Sequence, residues 1–293
     1  MLYSVGPTSR RSLEEYEGPV VETSEDWVNL SRLERKQFAK KMDLQGAVEL
    51  FLKKKASTPA PTESSMVECF KCCGSGELEG HARKVGIFSP SQITRCIRAH
   101  YFQYMGEPGI PRHSSQLQLT FDIGTALHEW FQERYFAKMF ITPTERDLHG
   151  CPDVAFEAEV ESMHPELEIY GHADGILIGE GFRVGVELKT ISTGGFAKLN
   201  KPNRDYLMQN TCYNMMNNWP GTIFLFIEKD QPHRLKQFFF GYDPDMATEI
   251  VEKIELIKQA AQAGEPPEPD VNLRWACREC RFHHLCRFGG GEV

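Results

Sequence analysis

Four cysteines, split three and one, constrain this chain most. Cys277, Cys280 and Cys286 form C-x2-C-x5-C near the C-terminus, while Cys96 stands alone far upstream in Ser-Pro-Ser-Gln-Ile-Thr-Arg-Cys. Thiolates in fours hold either an iron–sulfur cluster or a tetrahedral Zn²⁺, and this spacing does not separate the two. Either group would close a very long loop and couple metal loss to unfolding. Nine cysteines, an odd number in a chain of 293 residues, do not form a secreted disulfide framework. Clustered thiols in a reducing compartment more often bind metal.

Two short motifs lie between Cys96 and the C-terminal set: Gly171-His-Ala-Asp174-Gly and Val186-Glu187-Leu188-Lys189. Alternate residues of a strand share a face. The valines and Leu188 therefore point one way, and Glu187 and Lys189 the other. Asp174 falls on the preceding strand and comes alongside Glu187. Two carboxylates this close bind a hard cation such as Mg²⁺ or Mn²⁺. Such a cation polarises a phosphate oxygen and lowers the pKa of water. Lys189 would orient that water or stabilise developing negative charge. His128, in Gly124-Thr-Ala-Leu-His128, sits on a helix whose small residues allow close approach to the sheet. Gln209 and Tyr213 are four apart and share a helix face.

The pattern predicts three regions: a helical extension over 1–56, a linker with a Cys-rich knuckle over 57–82, and an α/β unit over 83–293. In the extension, Thr23-Ser24-Glu25-Asp26 reads as a helix start, and 43–55 as a second short helix. Cys69, Cys72 and Cys73 precede Gly-Ser-Gly like half a zinc knuckle, with His81 nearby as a further Zn²⁺ ligand; the alternative is free thiols in a connector. Within the α/β unit the spacing predicts helices over 90–105, 117–140 and 205–217, and a long one from Asp243-Pro244 to Gly264. Strands are predicted at 154–160, 169–178, 182–190, 222–227 and 235–242. Cys212 reads as a buried small hydrophobe.

A net charge of −8 argues against indiscriminate coating of nucleic acid. Local patches remain: Arg95/Arg98, the arginines around the C-terminal cysteines, and Lys198, Lys201 and Arg204. The last three follow a flexible Ser192-Thr-Gly-Gly195 stretch and would contact backbone phosphates at a cleft mouth. No apolar run is long enough to span a bilayer and no secretory signal is visible, so no membrane partner and a cytoplasmic location are expected.

Together these residues resemble the PD-(D/E)XK nuclease superfamily, and within it the RecB-type branch. The match runs from about Ser89 to the C-terminus. In that branch a Gly-x3-His helix, an Asp, Glu-x-Lys and Gln-x3-Tyr follow in order; here they are Gly124 and His128, Asp174, Glu187 and Lys189, Gln209 and Tyr213. The resemblance implies an α/β fold: a restriction-endonuclease-like central mixed sheet flanked by helices, with the N-terminal helical extension and a C-terminal Cys cluster. It implies His128, Asp174, Glu187 and the Leu188 carbonyl as Mg²⁺ or Mn²⁺ ligands, and Lys189 as the catalytic lysine, with Gln209 and Tyr213 in the same catalytic set. One Cys before the core and three after it resemble the [4Fe–4S] subgroup, which includes small CRISPR-adaptation exonucleases and AddB-type nuclease domains. Cys96, Cys277, Cys280 and Cys286 would then hold the cluster, with Zn²⁺ as the alternative. The implied function is a metal-dependent DNA exonuclease. It would act on single-stranded or free DNA ends in recombination, repair, or CRISPR or phage DNA processing. A catalytically silent DNA-end-binding protein would usually lack a carboxylate or the lysine, and all are present. An RNA-directed nuclease is a third class, but no RNA-binding module is visible.

Overall fold

The sheet is built where the sequence alternates or becomes wholly apolar. The computed structural model describes residues 2–4, 18–42, 44–46, 48, 86–110, 115–144, 154–231, 234–270 and 276–286. The strands are β1 (Leu2–Ser4), β2 (Ala155–His164), β3 (Ile169–Gly179), β4 (Phe182–Ile191), β5 (Gly221–Glu228) and β6 (Leu235–Gly241). They form one mixed sheet in the order β1-β6-β5-β4-β3-β2. Every pair is antiparallel except β4 and β5. β3 and β4 are joined by the expected Gly-Glu-Gly turn, where Gly181 takes φ +74. β1, which pairs with β6, was not expected from the sequence.

Helices cover both faces, as expected: α1 (Ser24–Asn29), α2 (Arg32–Lys41), α3 (Ile97–Tyr104), α4 (Ser115–Phe131), α5 (Thr193–Lys198), α6 (Arg204–Asn217) and α7 (Pro244–Ala263). On one face Val184, Val186, Leu188, Ile223, Leu225 and Phe239 pack with Trp27 and Phe38 of the N-terminal helices and with Phe131, Tyr135 and Phe136 around the end of α4. The N-terminal extension thus shares a core with the sheet. Capping boxes start α1 and α2, at Thr23 and Ser31. On the other face Phe224, Phe226, Phe238 and Phe240 pack with α3, α6 and α7. Ile250, Ile254 and Ile257 of α7 are fully buried at helical spacing, and each burial contributes about 1.5–3 kcal/mol. Asp243 caps α7, Pro244 opens it, and Gly264 closes it at φ +70. Gly241 must be glycine, because a Cβ there would run into the Trp27 ring.

Two expectations need correction. The helix expected over 90–105 is broken: a 3₁₀ turn covers Pro90–Gln92, and α3 begins only after Cys96. The Ile97 N–H that opens α3 donates to Asp270 Oδ2 from the C-terminal segment (3.0 Å), which fixes the break. The stretch Ser192–Gly195 begins a helix instead of forming a flexible loop. Ser192 caps α5, and Asp230 accepts from the Thr193 hydroxyl. Residues 44–46 and 48 of the expected second N-terminal helix are helical. The rest of that helix, and Cys69, Cys72, Cys73 and His81, lie outside the described residues. Among the described residues no helix is long and apolar enough to cross a membrane.

Candidate active site

The site lies where two strands part. β3 and β4 pair from Gly179/Phe182 to Gly175/Val186, and the ladder stops there. Beyond that point β4 continues along β5 and β3 along β2. The next positions are Asp174 and Glu187, one on each prong of the fork. Asp174 is also passed over by the β2 ladder, which runs through Ala158/Gly175 and Val160/Ala173 and skips Glu159/Asp174. Glu159 holds a left-handed backbone at φ +52. Asp174 is anchored by other partners. Its carboxylate Oδ2 accepts from the Leu188 N–H (2.7 Å), and its main-chain carbonyl accepts from the Gln132 side-chain amide (2.8 Å).

Of the motif set, His128, Asp174, Glu187, Lys189 and Gln209 reach this fork. His128 Nδ1 of α4 lies 3.6 Å from Asp174 Oδ2. Gly124, one turn earlier, faces Thr190 of β4, so the helix approaches the sheet closely there. Lys189 Nζ is in direct contact with Glu187 Oε1, and Gln209 Nε2 of α6 donates to the same oxygen (3.3 Å). The other oxygen, Glu187 Oε2, is buried without a hydrogen-bond partner, on a side chain only 1% exposed. An unpaired buried carboxylate oxygen is costly unless a cation or a proton meets it. Tyr213 is differently placed: its ring is buried, and its hydroxyl donates to the His172 carbonyl (2.6 Å). It braces β3 rather than touching the carboxylates.

The electrostatics follow from burial. Desolvation pushes Glu187 up to about 7, against the pull of Lys189 and with help from Asp174. Burial also raises Asp174, while Lys189 and the Leu188 N–H oppose it. For Lys189, burial alone would lower the pKa, but Glu187 and Asp174 outweigh it and hold the ammonium above its ordinary range. Burial, then Lys189, lowers His128, which keeps the imidazole neutral and its lone pair available. Three contributors escaped the sequence reading. Gln132 and Glu159 have no motif, and Tyr206 was not singled out, although it lies three residues before Gln209 and its ring sits 5.0 Å from Lys189 Nζ.

Among the described residues no three His, Cys, Asp or Glu side chains are arranged to hold a metal ion as they stand. At the fork, Lys189 occupies one side of Glu187. At the C-terminal segment, Cys280 and Cys286 follow turns that put Phe282 against Phe102 of α3. Burial raises the Cys280 thiol, and the neighbouring Cys96 and Cys286 raise it further. No disulfide joins the described cysteines, and Cys212 is fully buried, with its thiol pushed up to about 12 by burial. Arg98 and Arg281 are engaged by the backbone, whereas Arg278 is exposed. Arg98 bonds the Pro267 carbonyl and pairs with Glu268, and Arg281 bonds the Gly109 carbonyl. Arg204 pairs with Glu249 of α7, whereas Lys198 and Lys201 are exposed.

No protein-family model matches the chain, and no curated protein matches it. Among solved structures it is similar to the crystal structure of SSO0001, at 18% identity, covering 71% of this chain and 89% of that one, with a TM-score of 0.42. It is also similar to an alkaline exonuclease, LHK-Exo, from Laribacter hongkongensis, at 15% identity, 62% and 91% coverage and a TM-score of 0.43. The complex of LHK-Exo with dAMP gives 16% identity, 61% and 90% coverage and a TM-score of 0.43.

Proposed function

We propose that this chain is a divalent-metal-dependent nuclease that degrades DNA from single-stranded ends. The observation that carries the reading is the fork, where Asp174, Glu187, Lys189 and His128 converge and one buried oxygen of Glu187 has no partner. That donor set fits a hard cation: Asp174, Glu187, the neutral His128 and the Leu188 carbonyl would hold Mg²⁺ or Mn²⁺. When bound, the cation polarises a phosphate oxygen and supplies a nucleophilic water near neutral pH.

The chain's own residues do the rest. Lys189 stays protonated and presents positive charge where negative charge develops on the phosphate. Glu187 and the Tyr206 ring fix its direction. Gln209 fixes the Glu187 carboxylate, and the Leu188 N–H fixes that of Asp174. End-labelled single- and double-stranded DNA, linear and circular, should be compared with Mn²⁺ present. Digestion of linear single strands with circles left intact is the expected result. Equal cutting of circles would replace the exonuclease reading with an endonuclease, and no cutting of any substrate would leave a silent DNA-end-binding protein.

We extend the proposal to the backbone contacts. Lys198 ends α5 and Lys201 lies in the connection to α6, both exposed and close in sequence to Lys189. Arg204 contributes less because Glu249 engages it. Replacing Lys198 and Lys201 by Ala should flatten the log–log salt dependence of single-strand binding by roughly 1.4, about 0.7 per phosphate contact. An unchanged slope would route the DNA elsewhere.

For the cysteines the proposal is a [4Fe–4S] cluster on Cys96, Cys277, Cys280 and Cys286, with Zn²⁺ as the alternative. The one-plus-three cysteine spacing supports it, and Phe282, between Cys280 and Cys286, packs on Phe102 of α3. Protein purified without oxygen should be brown and carry about four irons per chain. Colourless protein with one zinc would replace the iron–sulfur claim and leave the nuclease claim standing.

A further inference from the structure

Asp174 is passed over by its ladder partners on both sides, so something else must hold it at the fork. The Leu188 N–H holds its carboxylate, and the Gln132 amide holds its main chain. Gln132 lies one turn beyond His128, at the start of a single π-type turn, Gln132–Phe136, that continues directly from α4. Such turns are rare and recur at functional sites. Its side chain is 6% exposed, and its Nε2 donates to both the Asp174 carbonyl and Glu159 Oε1 (2.8 and 2.9 Å). Glu159 is the residue opposite Asp174 in register, at the ladder's skipped pair, with φ +52. A strained backbone persists only where its surroundings enforce it.

We infer that Gln132 is a positioning residue for the proposed metal site: it fixes Asp174 against His128 by bridging the Asp174 carbonyl to the Glu159 carboxylate. The inference rests on the metal-dependent reading above. One amide nitrogen ties the helix that carries His128 to the strand that carries Asp174. The distance between the two proposed ligands is therefore set by a hydrogen-bond bridge as well as by core packing. Glu159 acts through this bridge by orienting the amide. Partners behind metal ligands commonly change metal affinity by about 10–100-fold when removed.

The test is Mn²⁺ binding to the full chain by electron paramagnetic resonance, with melting measured separately in chelator. Gln132→Met keeps the volume and removes the donor. It should weaken Mn²⁺ by about tenfold or more while melting in chelator stays near wild type. Glu159→Gly removes the carboxylate and relaxes the left-handed backbone, so it remains folded even if Gln132→Met does not. It should weaken Mn²⁺ in the same direction. Wild-type Mn²⁺ affinity in a folded Gln132→Met protein, or in Glu159→Gly if the former fails to fold, would overturn the inference. Asp174→Ala separates the two claims. If it binds Mn²⁺ like wild type, the metal-site reading fails; if it does not bind while the Gln132 and Glu159 variants bind normally, only the positioning claim fails.

Discussion

Glu187→Gln is expected to lower DNA cleavage by on the order of 10³-fold, equivalent to about 4 kcal/mol of transition-state stabilisation. The substitution preserves shape and removes the charge that faces both Lys189 and the proposed cation. It also leaves Lys189 buried beside a neutral amide, so part of the loss arises from a misdirected ammonium. The fold should survive, because Gln209 can still bond the side chain at 187. The measurement is initial-rate digestion of end-labelled single-stranded DNA with Mn²⁺, at equal folded fractions. Cleavage within a few-fold of wild type would remove Glu187 from the chemistry, and the proposed function with it.

The second large effect concerns stability. Trp27 is fully buried, edge-on to Phe38 and Phe239 at 6.0 and 5.3 Å, and Gly241 lies against its ring. Trp27→Ala should cost about 3–5 kcal/mol. Urea unfolding followed by far- and near-ultraviolet circular dichroism should show one transition at lower urea, lost by sheet and helices together. An unmoved transition for the sheet would mean that the N-terminal helices fold apart from it. The same packing makes Gly241→Ala destabilising, because the added methyl meets an aromatic ring with no room to withdraw.

Local rules made much of this chain readable. The β3–β4 hairpin follows from alternation and a Gly-Glu-Gly turn. α7 follows from Asp243-Pro244 at its start, isoleucines at helical spacing and Gly264 at its end. The convergence of His128, Asp174, Glu187, Lys189 and Gln209 was legible as an ordered set of motifs, because each sits on a regular element with one face toward the fork. What stayed hidden depends on partners distant in sequence. β1 is three residues long and has no period to detect; it exists because β6 offers an edge. The break before α3 needs Asp270, far down the chain, to meet Ile97. The Ser192–Gly195 stretch looked loose because of its glycines, yet Ser192 and Asp230 cap it into a helix. Gln132 and Glu159 have no signature, since Gln132 bonds a backbone carbonyl at the skipped pair and Glu159 bonds the Gln132 amide there.

The parallel pairing of β4 with β5 has a consequence for synthesis. Two parallel neighbours cannot be joined by a tight turn, so the chain must leave the sheet after Ile191 and return at Gly221. That excursion carries α5 and α6, and so Tyr206, Gln209 and Tyr213. A chain emerging from the ribosome has His128, Asp174, Glu187 and Lys189 before it has any of these. Non-local pairings of this kind form late. Until β5 docks, Lys189 lacks the Tyr206 ring and Glu187 lacks Gln209, and both prongs of the fork stand open to water. The nascent polypeptide therefore holds its acidic and basic groups unassembled until the crossover closes.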